Sequence, residues 1–286
     1  MWVLFAALSS ILLGGYDILK KQSLSRNAVL PVLFIAALTG ALLFLPGVIL
    51  FITPLNTQAH FYVFMKSCLV GASWMLNYYG IKHLPLTIVS PIRSTGPLWT
   101  LIGALIIFGE RLSPLQWTGL TVSLLFFWFF SLAGRKEGFS FVKNRWIICI
   151  YAGTLLGSMS GLYDKFLIAN MDRIAMQAWF SIYLVPVILP FVIFKWYPQR
   201  TKDKFEWRWT IPLIGLVLTC TDFIYFYALS FPDALVSIVS AIRRTSVVVP
   251  FIAGIFLFKE RKNLIPKIIA LVGMTIGVLL IAMGTI

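Results

Sequence analysis

The chain has 286 residues, of which 59% are hydrophobic and only 12% are charged, and its formal net charge is +14. Soluble domains carry about 25% charged residues, so this composition excludes an ordinary soluble protein. The Lys and Arg residues lie in short loops beside apolar stretches and form no continuous basic face. That distribution excludes a nucleic-acid-binding protein and is typical of cytoplasmic loops that face anionic lipid.

Apolar stretches of about 20 residues, the length that crosses a bilayer, recur along the whole chain. Turn and polar residues separate them, as in the segments KKQSLSRN, GRKEGFSFVKNR and YPQRTKDKFEWR. We therefore predict an all-α integral membrane protein with ten transmembrane helices, spans 1 to 10. In chain order they cover residues 1–22, 29–53, 60–82, 84–108, 112–134, 146–169, 173–195, 208–230, 233–258 and 264–285.

The basic residues divide unequally between the two ends of these spans. The loops after odd-numbered spans hold 17 Lys and Arg residues, the loops after even-numbered spans hold two, and five lie within spans. Because basic loops stay in the cytoplasm, we expect both termini to face away from it. The protein is expected in the cell (inner) membrane.

Span 4 and span 9 share a sequence pattern at an offset of 150 residues. Residues 88–90 (IVS) recur at 238–240, Arg93 recurs as Arg243, and Thr95 recurs as Thr245. Each half holds five spans, an odd number, so the second half must enter the membrane upside down. The sequence thus predicts two inverted five-helix repeats, residues 1–134 and 146–286, joined by a cytoplasmic linker at 135–145. This arrangement is typical of secondary transporters that alternate the access to a central site.

The segment from Tyr78 to Gly119 resembles the third-to-fifth helix region of the EamA-like family in the drug/metabolite transporter superfamily. The resemblance lies in Tyr78-Tyr79-Gly80, in Gly109-Glu110-Arg111 and in Gln116-Trp117-x-Gly119. The second half repeats the turn as Lys259-Glu260-Arg261, with Lys in place of the usual Gly. The resemblance covers nearly the whole chain and implies a ten-helix carrier, but it leaves the solute open.

Two arginines lie at depths where a charge is costly and therefore needs a partner or a function. Asp17 lies in the same leaflet as Arg93, and Asp164 in the same leaflet as Arg243. Each half is thus expected to hold one Asp–Arg pair. Either these pairs are fixed structural ion pairs, or the arginines face a wet cavity where they bind solute and the carboxylates gate access to them.

Further polar residues within the spans are candidates for the site. Asp222 has no acidic counterpart in the repeat, because Trp74 occupies the matching position. It is a candidate for proton coupling or, equally, a simple partner for Arg244 or Lys66. Asn77 and Tyr227 are candidate wall residues, and Arg244 joins Arg93 and Arg243 as a candidate substrate-binding residue.

The predicted function is secondary-active transport, with export expected, of a small anionic or zwitterionic metabolite. The surplus of basic over acidic residues within the spans favours such a solute. The alternative is a flippase for a phosphate-bearing lipid. Motifs for nucleophilic or metal catalysis are missing from the sequence, so no enzyme, metal or cofactor is expected. The expected partners are the solute and the bilayer, and the chain is either a monomer or a homodimer through Gly273 and Gly277 in span 10.

Overall fold

The protein is described here by a computed structural model covering residues 2–50, 55–108, 113–135, 143–229, 231, 242–243 and 245–284. Its regular structure in these ranges is helical. Asn56, Asn144 and Asp172 begin helices by accepting hydrogen bonds from first-turn backbone N–H groups. The α-helices are α1 (Trp2–Leu24), α2 (Val29–Leu50), α3 (Thr57–His83), α4 (Leu86–Arg93), α5 (Gly96–Phe108), α6 (Pro114–Arg135), α7 (Arg145–Asn170), α8 (Arg173–Phe191), α9 (Thr210–Leu229), α10 (Val248–Phe256) and α11 (Leu264–Met283).

Span 4 is two helices rather than the single helix expected over 84–108. Helix α4 ends at Arg93, and α5 begins at Gly96. Pro97 has no backbone N–H, so the carbonyl of Arg93 lacks the donor that a continuous helix would supply. The hydroxyls of Ser94 and Thr95 bond back to carbonyls of α4, each at 2.7 Å. The helix is therefore interrupted directly after Arg93.

The second half has a similar change after Arg243. A 3₁₀ helix covers Thr245–Val247 and leads into α10. Thr245 Oγ1 donates to the Ile242 carbonyl at 2.6 Å, as Thr95 Oγ1 does to Ile92. Discontinuous helices of this kind line the solute sites of many transporters, because their unwound backbone faces a cavity.

Helices of the two halves pack against each other crosswise. Helix α1 packs against α9, and α3 against α7. Span 1 is equivalent to span 6 (α7), and span 3 is equivalent to span 8 (α9). The contact of α1 with α9 in the bundle therefore corresponds to the contact of α7 with α3. Helix α2 packs against α8, and α6 against α11, so these pairs join equivalent spans; α4 packs against α10, which joins the first part of span 4 to the second part of span 9. The bundle therefore consists of two repeated halves, as the sequence predicts.

Gly273 and Gly277 lie in the contact between α6 and α11 within one chain. A Cβ at Gly277 would lie 2.7 Å from the Gly119 carbonyl oxygen, and one at Gly119 would lie 2.6 Å from the Gly277 carbonyl oxygen. A Cβ at Gly273 would meet the ring of Phe126. This glycine pair already packs against α6 inside the bundle, so a homodimer through span 10 would need another face of α11. The oligomeric state stays a prediction.

The outer surface is apolar along much of the bundle. Large side chains such as Ile49, Ile106 and Ile265 are at least 72% exposed. Among the described residues, five helical segments are long and apolar enough to cross a membrane: Trp2–Leu24, Val29–Ile49, Arg145–Asp164, Arg173–Gln199 and Leu264–Ile281. Shorter apolar helices cover Pro114–Phe130, Thr210–Tyr225 and Thr245–Phe256. Such a surface suits lipid as its solvent.

Candidate functional site

Asp17 in α1 holds two cations rather than one. Arg93 Nη1 donates to Asp17 Oδ2, which is the pair expected from the sequence. Lys20, one turn further along α1, places its Nζ 2.5 Å from Asp17 Oδ1. The Asp17 and Lys20 side chains are 1% and 3% exposed, whereas that of Arg93 is 22% exposed. We call these three residues the Asp17 cluster, and its formal charge is +1.

The Lys20 ammonium also lies against aromatic rings. Its Nζ is 4.0 Å from the centre of the Tyr16 ring and 5.3 Å from that of Tyr78. Aromatic faces attract cations, most strongly where water is excluded. The sequence prediction places Lys20 among the 17 basic residues at the loops after odd-numbered spans. In the structure Lys20 lies in the bundle interior, where Asp17 and two aromatic rings contact its ammonium.

In the second half, the expected pair of Asp164 and Arg243 is not the one observed. Arg243 Nη2 donates to Asp222 Oδ1, and its guanidinium lies 4.1 Å from the ring centre of Tyr225. Asp164 instead contacts Lys66, with Nζ 2.6 Å from Oδ1. Neither of these observed partners, Asp222 and Lys66, has a charged counterpart in the repeat. Trp74 occupies the position that matches Asp222, and Ile214 occupies the position that matches Lys66. Each of these two pairs is neutral.

Two of the three ion clusters lie on helices that pack together. Helix α1, which carries Asp17, packs against α9, which carries Asp222. Ser9 Oγ of α1 donates to the Thr221 carbonyl of α9 at 2.9 Å. The helix that carries Asp17 therefore contacts the helix that carries Asp222.

A cavity of about 30 Å³ lies between α2, α3, α8 and α9. Asp222 and Trp74, which occupy matching positions in the two halves, both line it. Gln177, Ser181 and Thr219 add polar groups to its wall. This volume holds roughly two water molecules, so a metabolite needs the bundle to open.

At one end of the bundle, which we call the basic end (residues 25–28, 84–85, 192–209 and 257–263), the two halves are tied together. The Glu260 carboxylate accepts hydrogen bonds from the backbone N–H groups of Leu86 and Thr87, at 3.0 and 2.8 Å. It caps the first turn of α4 from the opposite half, where the helix dipole favours a negative charge.

Loop contacts add to this closure of the basic end. Lys82 contacts Asp203 at 3.1 Å. Asn27 exchanges hydrogen bonds with the backbone of Glu206 at 2.8 and 3.0 Å, and the Ala28 N–H donates to the Lys204 carbonyl at 3.0 Å. The segment before α9 thus covers the loops of the first half.

Comparison with known proteins places this bundle in a family. The sequence profile of the EamA-like transporter family matches residues 1–132 and, a second time, residues 144–283. The chain belongs to the EamA-like transporter family. It is thus a multi-pass membrane transporter of the drug/metabolite superfamily, and the double match coincides with the repeat.

Two further comparisons complete this result. A solved crystal structure is similar over 98% of this EamA-like chain and 97% of its own chain, with a TM-score of 0.63 and 14% sequence identity. At that identity the likeness shows the fold alone. A search of curated proteins found no match.

Of the remaining predicted residues of this EamA-like transporter, Asn77 lies in α3 and Tyr227 in α9. Asn77 Nδ2 donates to the Ser73 carbonyl at 2.8 Å, and the amide packs on Gly153 of α7. Tyr227 is 47% exposed and packs edge to face on Phe5. Neither residue lines the cavity between α2, α3, α8 and α9. Arg244 lies outside the described residues.

Sequence reasoning missed Lys20 as a residue of the site and the pairing of Lys66 with Asp164, and both lysines are residues with a single copy. Lys20 and Lys66 carry no motif, and only their position within or beside an apolar span marks them. A basic residue three positions after a buried acid, as in Asp17 and Lys20, places both on one helix face. That spacing is the signal that could have identified the Asp17 cluster.

Proposed function

We propose that this transporter is a secondary-active carrier that exports a small anionic or zwitterionic metabolite by alternating access. The solute's anionic group binds at Arg93. Arg243 and Arg244 belong to the same solute path, and Asp17 and Asp164 hold and release the cations as the site opens and closes.

The observation that carries this proposal is the composition of the Asp17 cluster. The single carboxylate of Asp17 contacts two cations, Lys20 and Arg93, so the cluster has a formal charge of +1 in the bundle interior. Charge at this depth is expensive unless it is compensated. A carboxylate or phosphate of the solute supplies the compensation, and a guanidinium binds such groups bidentately.

Alternating access is supported by three features. The halves are related by a repeat, the helix is interrupted after Arg93 and a 3₁₀ helix covers Thr245–Val247 in the second half, and the basic end is tied shut by Glu260 and the loop contacts. The cavity, which Asp222 lines but Arg93 and Arg243 do not, is too small for a metabolite, so solute binding requires the bundle to open. The family resemblance supplies no solute, so its chemical class rests on these charges.

Asp222 remains the candidate for proton coupling. It lines the cavity and holds Arg243 as an ion pair. A proton on Asp222 removes the charge that holds the guanidinium, so proton uptake and movement of Arg243 become linked. The bias of basic residues supports a cell-membrane orientation in which both termini lie outside the cytoplasm.

Removal of the Arg93 side chain tests the proposed function. In Arg93→Ala, Asp17 keeps Lys20 as its partner, so the protein should fold and elute as wild type does in detergent. Transport should be lost, because the solute's anionic group has no guanidinium. The assay is counterflow exchange in proteoliposomes against a panel of carboxylate, phosphate and zwitterionic metabolites.

Two further variants make this result specific. Lys202→Ala removes an exposed basic residue from the loop before α9 and should transport normally. Asp17→Ala leaves two cations unpaired in the interior and should lose about 3–5 kcal/mol of stability. Full exchange by a well-folded Arg93→Ala protein would exclude the role of Arg93. Movement of labelled phospholipids, without exchange of any soluble metabolite, would instead establish the lipid flippase.

A further inference from the structure

We infer that Lys20 neutralises the carboxylate of Asp17 and thereby leaves Arg93 able to bind the solute. In this anion site Arg93 is the exposed member, and Lys20 is the buried residue that supports it. This inference rests on the proposed function and goes beyond it by adding a positioning residue. It also assigns the anion to the first half of the repeat rather than to both halves.

The charges of the three ion clusters lead to this asymmetry. Among the side chains that the structure describes, Asp164 contacts Lys66 and Asp222 contacts Arg243, one cation each. Asp17 contacts two cations, Lys20 and Arg93. A solute anion that displaced Asp222 from Arg243 would leave a carboxylate without its cation, whereas at Arg93 no such loss occurs.

The geometry of the Asp17 cluster separates the roles of its two cations. Lys20 is held on the carboxylate by the helix that carries both residues and by the rings of Tyr16 and Tyr78. Arg93 reaches the other carboxylate oxygen from α4 and ends that helix, so it lies beside the unwound segment. Its Nη1 is the nitrogen on Asp17, and a guanidinium carries five N–H donors. The solute can therefore bind the remaining donors while Lys20 keeps Asp17 neutralised.

The repeat shows that Lys20 belongs to the first half only. Asp17 matches Asp164 at an offset of 147, and by the same offset Lys20 matches Leu167. Leu167 is fully buried in the core and carries no charge. The three-residue spacing that pairs Asp17 with Lys20 in α1 therefore has a leucine at the matching position of α7, and Lys66 from α3 contacts Asp164.

A charge series at this cluster tests the inference by anion binding. The probes are inorganic phosphate and acetate at fixed ionic strength, and the readout is the thermal unfolding midpoint of purified protein in detergent. Lys20→Met makes the cluster neutral and should weaken anion binding about tenfold or more, because one unit charge is lost near the anion. Asp17→Asn with Lys20→Met restores the charge of +1 at Arg93 and should recover binding to within about threefold of wild type.

Control variants make each outcome decisive. Lys202→Met removes the same charge from an exposed loop and should bind as wild type does. Asp17→Asn with Arg93→Gln also has a charge of +1, carried by Lys20, and should bind poorly because the exposed member is gone. If Lys20→Met does not fold, Lys20→Gln, whose amide can still donate to Asp17, replaces it.

The inference and the proposed function fail in different ways. Undiminished anion binding by Lys20→Met, or no recovery in the Asp17→Asn, Lys20→Met protein, overturns the role of Lys20 while the anion carrier stands. A wild-type protein that neither phosphate nor acetate stabilises overturns the anionic solute itself. Weak binding by Lys20→Met together with recovery in the double variant supports the inference.

Discussion

Glu260 reaches across the two halves, so its loss should weaken the closed basic end. Its two carboxylate oxygens accept from Leu86 N–H at 3.0 Å and Thr87 N–H at 2.8 Å. Leu86 and Thr87 are fully buried, so water cannot easily replace these acceptors. A hydrogen bond to a charged group contributes about 1.5–3 kcal/mol. Glu260→Ala should therefore cost about 3–5 kcal/mol, with relaxation of the loop reducing the sum of two such bonds.

The assay is the thermal unfolding midpoint of the purified protein. For a chain of this size, 1 kcal/mol corresponds to about 2–4 °C, so Glu260→Ala should lower the midpoint by about 10 °C. Glu260→Gln keeps one carbonyl acceptor but loses the charge, and it should give about half that shift. Arg261→Ala changes the exposed neighbour and is the matched control. Equal midpoints for Glu260→Ala and Arg261→Ala would show that the capping of α4 from the other half contributes nothing to stability.

Two further predictions concern coupling and orientation. Asp222→Asn should abolish transport driven by a proton gradient but leave counterflow exchange, because the amide binds no proton in this range; loss of both activities, or of neither, would remove Asp222 from the coupling role. A C-terminal fusion to a reporter that fluoresces only in the cytoplasm should stay dark, since the basic loops stay on that side. A bright fusion would reverse the assigned orientation.

The architecture and one ion pair could be predicted from the sequence. Apolar length gave the spans, and the recurrence of Arg93 as Arg243 gave the repeat. Asp17 and Arg93 were expected together because both lie at the same depth on the same side, and the structure pairs them. These predictions depend on length, periodicity and depth, which one sequence reports directly.

The second half was harder to predict because its partners are single-copy residues. The repeat predicts that Arg243 pairs with Asp164. In the structure Arg243 pairs with Asp222 from α9, and Asp164 pairs with Lys66 from α3. No sequence period links either residue to its partner. Span 4 was expected as one helix, although Pro97 lies four residues after Arg93 and removes the donor to its carbonyl. Apolar length alone cannot distinguish a continuous span from two shorter helices.

The crosswise packing of the halves bears on how such a protein can originate. Helix α1 has its main partner in α9, and α3 in α7, so a lone five-span unit could make these contacts only with an oppositely inserted copy of itself. Two identical copies would also have to carry identical charges. Fusion through residues 135–145 removes that constraint, because each half can then change separately. Lys20, Lys66 and Asp222, each present once, are substitutions that only a fused pair can confine to one side of the membrane.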